Sequence, residues 1–140
     1  MPWPAFFPKV DKTSPLYIGI AVGETLADRI VDCHLSRTRS SALRRSLAAL
    51  LANQLSLKVH LIPGTEDRPS KFGLDDDGEA ALTAWMLGHL TVSWIALDAP
   101  GDLEKVLIHS MSPPLNDTYA TGSLYRTAMR ALRATVAAIG

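Results

Sequence analysis

This chain predicts a mixed α/β domain, on three observations. Short apolar runs at residues 16–20, 57–62 and 90–97 have strand character and are separated by segments whose apolar residues recur at helical spacing. The length, 140 residues, suits one domain spanning 1–140 that buries roughly two thirds of its unfolded surface in a single core. A composition of 47% hydrophobic and 20% charged residues is that of a globular protein rather than a disordered or fibrous one.

Taken in order, residues 2–8 hold three prolines and three aromatics, which suggests a short edge strand at Ala5-Phe6-Phe7 able to pair with the run at 16–20. Thr25-Leu26-Ala27-Asp28 has the spacing of a capping box, so a helix is expected from there to about Leu35, with Leu26, Ile30 and Cys33 as its apolar stripe. After a polar loop at 36–41, Leu43, Leu47, Leu50 and Leu51 mark a second helix from which Arg44 and Arg45 point away. Leu57, Val59 and Leu61 alternate as in a strand. Residues 63–78, rich in Pro, Gly and charge, read as a long surface excursion, with Asp75-Asp76-Asp77 a solvated loop.

Leu82, Trp85 and Met86 predict a helix over 79–89, and Val92, Trp94 and Ala96 predict a strand over 90–97 with both tryptophans in the core. Pro100-Gly101-Asp102 opens a helix with Leu103, Val106, Leu107 and Met111 inward, stopped by Ser112-Pro113-Pro114. A last helix is expected over 123–139 with Leu124, Ala128, Leu132 and Ile139 inward. No repeat and no low-complexity segment occurs.

Several classes are set aside. One cysteine, Cys33, precludes an internal disulfide, the N-terminus lacks a signal peptide's basic start and apolar core, and no apolar stretch reaches the roughly 18 residues of a membrane span. A cytoplasmic protein without a membrane partner is expected. There is no Gly-rich phosphate loop, Cys-x-x-Cys pair or Gly-x-Ser-x-Gly elbow, which argues against kinase-like NTPases, zinc modules and α/β-hydrolases. His60, His89 and His109 lack metal-ligand spacing, and Cys33 reads as a core residue. Net charge is zero from 14 basic and 14 acidic side chains, but Arg29, Arg37, Arg39, Arg44 and Arg45 cluster, with Arg126, Arg130 and Arg133 near the end. A neutral protein can still offer such a basic face to phosphates.

The segment with most chemistry is Leu16-Tyr17-Ile18-Gly19-Ile20-Ala21, followed by Leu26-x-x-Arg29-Ile30 and His34. Together with Ser41-Ala42-Leu43-Arg44-Arg45-Ser46-Leu47, Ala84-Trp85-Met86, Leu103-Glu104 and Pro114-Leu115-Asn116, it resembles the GIY-YIG nuclease family over most of the chain, in a series associated with bacterial members. The resemblance implies an α+β fold, with a small, mainly antiparallel sheet of about three strands flanked by helices. It further implies a Mg²⁺- or Mn²⁺-dependent endonuclease acting on DNA. Glu104 would hold the one divalent cation, Arg29 would offset charge developing on the phosphate, and Tyr17 would position or activate the attacking water. An unperturbed Tyr has a pKa of about 10, so nearby cations or His34 must assist it. Gly19 and Asn116 would support the site, and Arg37, Arg39, Arg44 and Arg45 would contact DNA.

One departure stands out. The family's first motif, Gly-Ile-Tyr, has Ala5-Phe6-Phe7 as its nearest counterpart, and Phe7 has no hydroxyl; the alternative is that the true first strand lies ahead of this chain. Two other classes therefore stay open: a catalytically inactive nucleic-acid-binding module of the same fold, which Phe7 favours, and a protein-interaction domain, which neutral net charge favours.

Overall fold

In a computed structural model of the protein, the residues described are 14–65, 67–68, 71–121 and 123–139. The expectations for Ala5-Phe6-Phe7, Phe7 included, lie outside them. The first helical segment starts where its cap predicts: the Thr25 hydroxyl accepts from the Asp28 amide at 3.0 Å while the Asp28 carboxylate accepts from the Thr25 amide at 3.0 Å. From Asp28–His34 it winds as a π-helix, and the Leu35 amide donates to the Ile30 carbonyl five residues back. The expected stripe of Leu26, Ile30 and Cys33 is only half-buried.

A 3₁₀ turn, Thr38–Ser40, leads to helix α1, Ala42–Leu51, whose N-cap Ser41 accepts from the Arg44 amide at 3.1 Å. Leu47 and Leu51 are buried as its periodicity predicts, with Leu43 and Leu50 packed at the edge of the core. Strand β1, Val59–Leu61, pairs antiparallel with β2, Phe72–Leu74, in the register Val59↔Leu74, His60↔Gly73, Leu61↔Phe72. The presumed surface excursion thus contains a wholly buried strand, and Phe72 is among the largest enclosed side chains. Three residues are too few for alternation to stand out among flanking Pro, Gly and charge.

Helix α2, Asp76–His89, begins three residues earlier than expected because Asp75 is its cap, accepting from the Gly78 amide at 2.8 Å. Asp76, Asp77 and Glu79 then occupy a first turn whose exposed amides favour negative charge, so the acidic run is a helix start rather than a loop. Leu82, Trp85 and Met86 are buried, and Trp85 stacks on His89 at 4.6 Å.

Residues 90–97 form no strand. Val92, Trp94 and Ile95 are exposed, Trp94 by 70%, because alternation defines a face without supplying a partner for it. Helix α3, Gly101–Met111, buries only Ile108; Leu103, Val106 and Met111 of the expected stripe face solvent. Helix α4, Leu124–Ile139, turns a face inward that is shifted from the one predicted: Met129, Arg133, Val136 and Ala137 are buried, Leu132 packs at the edge of the core, and Leu124 and Ile139 are exposed. Both stripes have helical spacing, and packing of α4 on α1 and β1 selects between them. The architecture is α+β as expected, with a sheet of two strands among the described residues rather than about three. No helix among them is long and apolar enough to cross a membrane.

Candidate active site

Tyr17 lies on an extended segment that the sequence predicts as a strand but that pairs differently. The Ile18 amide donates to Asn116 Oδ1 at 2.8 Å, Asn116 Nδ2 donates to the Ile18 carbonyl at 2.8 Å, and the Leu115 amide donates to the Leu16 carbonyl at 3.0 Å. A side-chain amide therefore takes the place of a neighbouring strand. Gly19 leaves room for the phenol: a Cβ there would come within 2.8 Å of Tyr17 Cε1.

The π-helical winding carries residues five apart onto one face, and Arg29 and His34 are such a pair. His34 meets Tyr17 edge-on at 5.5 Å between ring centroids, and its Nδ1 is 2.8 Å from Ser41 Oγ. Burial, with Arg29 and Arg44 nearby, lowers the His34 pKa to about 4, so the imidazole is neutral near pH 7. Arg29 sits 3.6 Å from Glu24 and its Nε is buried without a hydrogen-bond partner.

Glu104 lies in the first turn of α3, one turn from the Pro100 carbonyl that accepts its amide. Tyr17, Arg29, Glu104 and Asn116 all line one cleft of about 300 Å³, closed by Ala42, Asp117, Thr118 and Tyr119. His34 stands behind Tyr17, outside the lining. Burial raises the pKa of Tyr17, against an opposing charge and hydrogen bond from Arg29. Burial likewise raises that of Glu104, against the pull of Arg29 and Lys105. The phenol is therefore held protonated, a donor before it is a base.

Two carboxylates line the cleft but only one is available to a cation. Asp117 has Arg130 Nε at 2.6 Å and Arg130 Nη2 at 2.9 Å, with Arg133 at 3.5 Å and Arg126 at 3.6 Å. These contacts hold its carboxyl below the usual range, Arg130 contributing most. Among the described residues no group of three or more His, Cys, Asp or Glu side chains is placed to hold a metal. Mg²⁺ needs no such cage, since it is commonly held by one or two carboxylates with water and substrate phosphate, and Glu104 at the cleft fits that mode.

The expected basic surface is redrawn. Arg37 and Arg39 are exposed, but Arg44 is fully buried and Arg45 nearly so. Arg44 donates to Glu79 Oε2 at 2.6 Å, the Glu79 carbonyl at 3.1 Å and Thr83 Oγ1 at 2.9 Å; Arg45 donates to the Arg39 carbonyl at 2.8 Å. Both serve the protein's interior: they donate to the carbonyls of His34, Thr38 and Arg39 at the end of the π-helix and in the turn after it, and Arg44 also to Glu79. Cys33, read as core, is half-buried at 3.8 Å from Arg29. Asp117, Thr118 and Tyr119 escaped the sequence reading; the stripe of Arg126, Arg130 and Arg133 at i, i+4, i+7 was the signal that a carboxylate should sit opposite.

The fold and cleft are those of a small α+β protein with a polar site between an extended segment, a π-helix and the start of a helix. The family model described as the GIY-YIG catalytic domain matches residues 6–135, and the chain belongs to that family. A nuclease-type function follows in general terms. Searches of curated proteins and of solved structures return no match.

Proposed function

We propose that the chain is a metal-dependent endonuclease that hydrolyses DNA phosphodiester bonds in the cleft between Tyr17, Arg29 and Glu104. The observation that carries this reading is the convergence of Tyr17, Arg29, Glu104 and Asn116 on one cleft, together with the unpartnered Nε of Arg29. A buried guanidinium donor lacking an acceptor is costly, and a phosphate oxygen would satisfy it with a charge-assisted bond. Arg29 thus binds the scissile phosphate and offsets the charge that grows on its oxygens. Tyr17, protonated and fixed by the Asn116 clamp, orients the attacking water by donating to it or to the phosphate. Neutral His34 packs edge-on against Tyr17 and, with its pKa lowered to about 4, adds no second positive charge beside the phenol. A divalent cation held by Glu104 would supply Lewis-acid stabilisation and a more acidic water.

The test is cleavage of supercoiled, linear and branched DNA with Mg²⁺ or Mn²⁺, beside EDTA and Glu104→Ala. Metal-dependent cutting that disappears in the folded variant supports the reading, and cutting that survives Glu104→Ala refutes the assignment. A catalytically inactive binding module is the second reading, favoured by the raised pKa of Tyr17, which leaves the cleft without a ready base. It requires salt-sensitive DNA binding with no cleavage under any metal condition.

A further inference from the structure

Beside the cleft, α4 carries more positive charge than its surroundings neutralise. Arg126, Arg130 and Arg133 lie on one face at i, i+4, i+7, and all three turn to the same carboxylate, Asp117, which is itself part of the cleft wall. Three guanidinium charges on one carboxylate leave an excess of two. Arg133 is 5% exposed, donates weakly to Ser46 Oγ at 3.5 Å, and has a buried Nε with no partner. The Nε of Arg126 is also buried without a hydrogen bond, its approach to Asp117 Oδ1 being 3.6 Å. Arg130, by contrast, has a side chain 52% exposed. Arg45 stands close enough to Arg133 to add to the same positive field.

Donors left over beside a net positive charge suit a further oxyanion. We propose that the Arg126–Arg130–Arg133 face is a phosphate-binding flank of the cleft that takes a backbone phosphate of DNA next to the one at Arg29, with the Asp117 carboxylate occupying the arginines until DNA arrives. The proposal rests on the nucleic-acid reading above. It replaces the role expected of Arg44 and Arg45, which are enclosed. The two non-bridging oxygens of a backbone phosphodiester present the same paired acceptors as a carboxylate, and the planar guanidinium fork suits them. Exchange of Asp117 for phosphate on Arg130 requires only rotation of a half-exposed side chain.

The experiment is anisotropy of a labelled DNA duplex in EDTA, which prevents metal-dependent cutting, over a salt series. Its variants are Arg126→Gln/Arg130→Gln, Asp117→Asn and, for comparison, Arg37→Gln/Arg39→Gln, each checked for folding by circular dichroism. Each phosphate contact contributes about 0.9 to the slope of log K against log salt. The α4 double variant should therefore lower the slope by about 0.9 and weaken binding about tenfold at moderate salt. Asp117→Asn should tighten binding several-fold, and the gain should vanish when Arg126→Gln/Arg130→Gln is added, which general relief of repulsion would not give. If the wild type binds DNA and the α4 variant keeps its full slope, the flank is overturned while the nucleic-acid reading stands. If the wild type shows no salt-sensitive binding, both fall. Because Arg130 is half-exposed, Arg130→Gln alone serves should the double variant or Asp117→Asn lose its fold, and it should lower the slope by part of that roughly 0.9, with an unchanged slope overturning the flank.

Discussion

Asn116 grips Ile18 with both ends of its amide, donating to the carbonyl and accepting from the N–H at 2.8 Å each, across 98 residues of sequence. The pair replaces a rung of β-ladder and fixes Tyr17, one residue away. Replacing Asn116 with Ala removes two largely enclosed hydrogen bonds and leaves the Ile18 backbone unpaired, at a cost of about 2 kcal/mol. Asn116→Asp keeps the acceptor but sets a carboxylate against the Ile18 carbonyl, so it should not rescue stability. Urea denaturation of the two variants checks this, and a wild-type midpoint for Asn116→Asp would remove the clamp from the account.

Arg44 and Glu79 form an ion pair at 2.6 Å, with Arg44 sealed from solvent and Glu79 also accepting from the Thr38 amide and hydroxyl at 2.8 Å. Breaking such a pair from one side costs about 3–5 kcal/mol, because the remaining charge is stranded. Arg44→Met should therefore destabilise strongly, and Arg44→Met with Glu79→Gln should recover part of the loss. A double-mutant cycle in denaturant measures the coupling; additive effects would show that the pair is not an energetic unit.

His34 makes a pH prediction. Its folded pKa, about 4, lies below its ordinary 6.5, so the unfolded chain binds the proton more readily between those values. The contribution of neutral His34 is fully present above about pH 6.5 and is lost as pH falls toward 4. Thermal melts from pH 7.5 down to pH 4 should show a steeper loss for wild type than for His34→Asn, which keeps a side chain able to reach Ser41. Parallel curves would mean that His34 titrates normally in the fold.

The end of α1 is closed by a Schellman motif: the Leu57 amide donates to the Ala52 carbonyl at 2.9 Å and the Ser56 amide to the Asn53 carbonyl at 3.3 Å. Ser56 pays for this with a left-handed φ of 52°. Glycine there would relieve about 1–2 kcal/mol of strain against roughly 0.5–1 kcal/mol of added chain entropy. Ser56→Gly should therefore gain about 0.5–1 kcal/mol, a rise of a few degrees in Tm by calorimetry. A lower Tm would show that the serine conformation carries no net strain.

What could be read from the chain alone was local. The Thr25–Asp28 cap, the Leu47–Leu51 face, the Leu82–Trp85–Met86 face and the Pro113-Pro114 stop all depend on residues a few positions apart, where hydrogen-bond and side-chain spacing are dictated by the backbone period. Tyr17, Arg29, His34, Glu104 and Asn116 could be named because short motifs around them resemble a family, although their distances could not. The tertiary structure decided which of two stripes of α4 faces inward, that Phe72–Leu74 is a buried strand, and that residues 90–97 pair with no strand among the described residues. It also decided that Arg44 belongs to Glu79, 35 residues away, and that Asp117 gathers the arginines of α4. Periodicity says that a side chain has a face; only the arrival of a distant partner determines whether that face is core, ion pair or open surface.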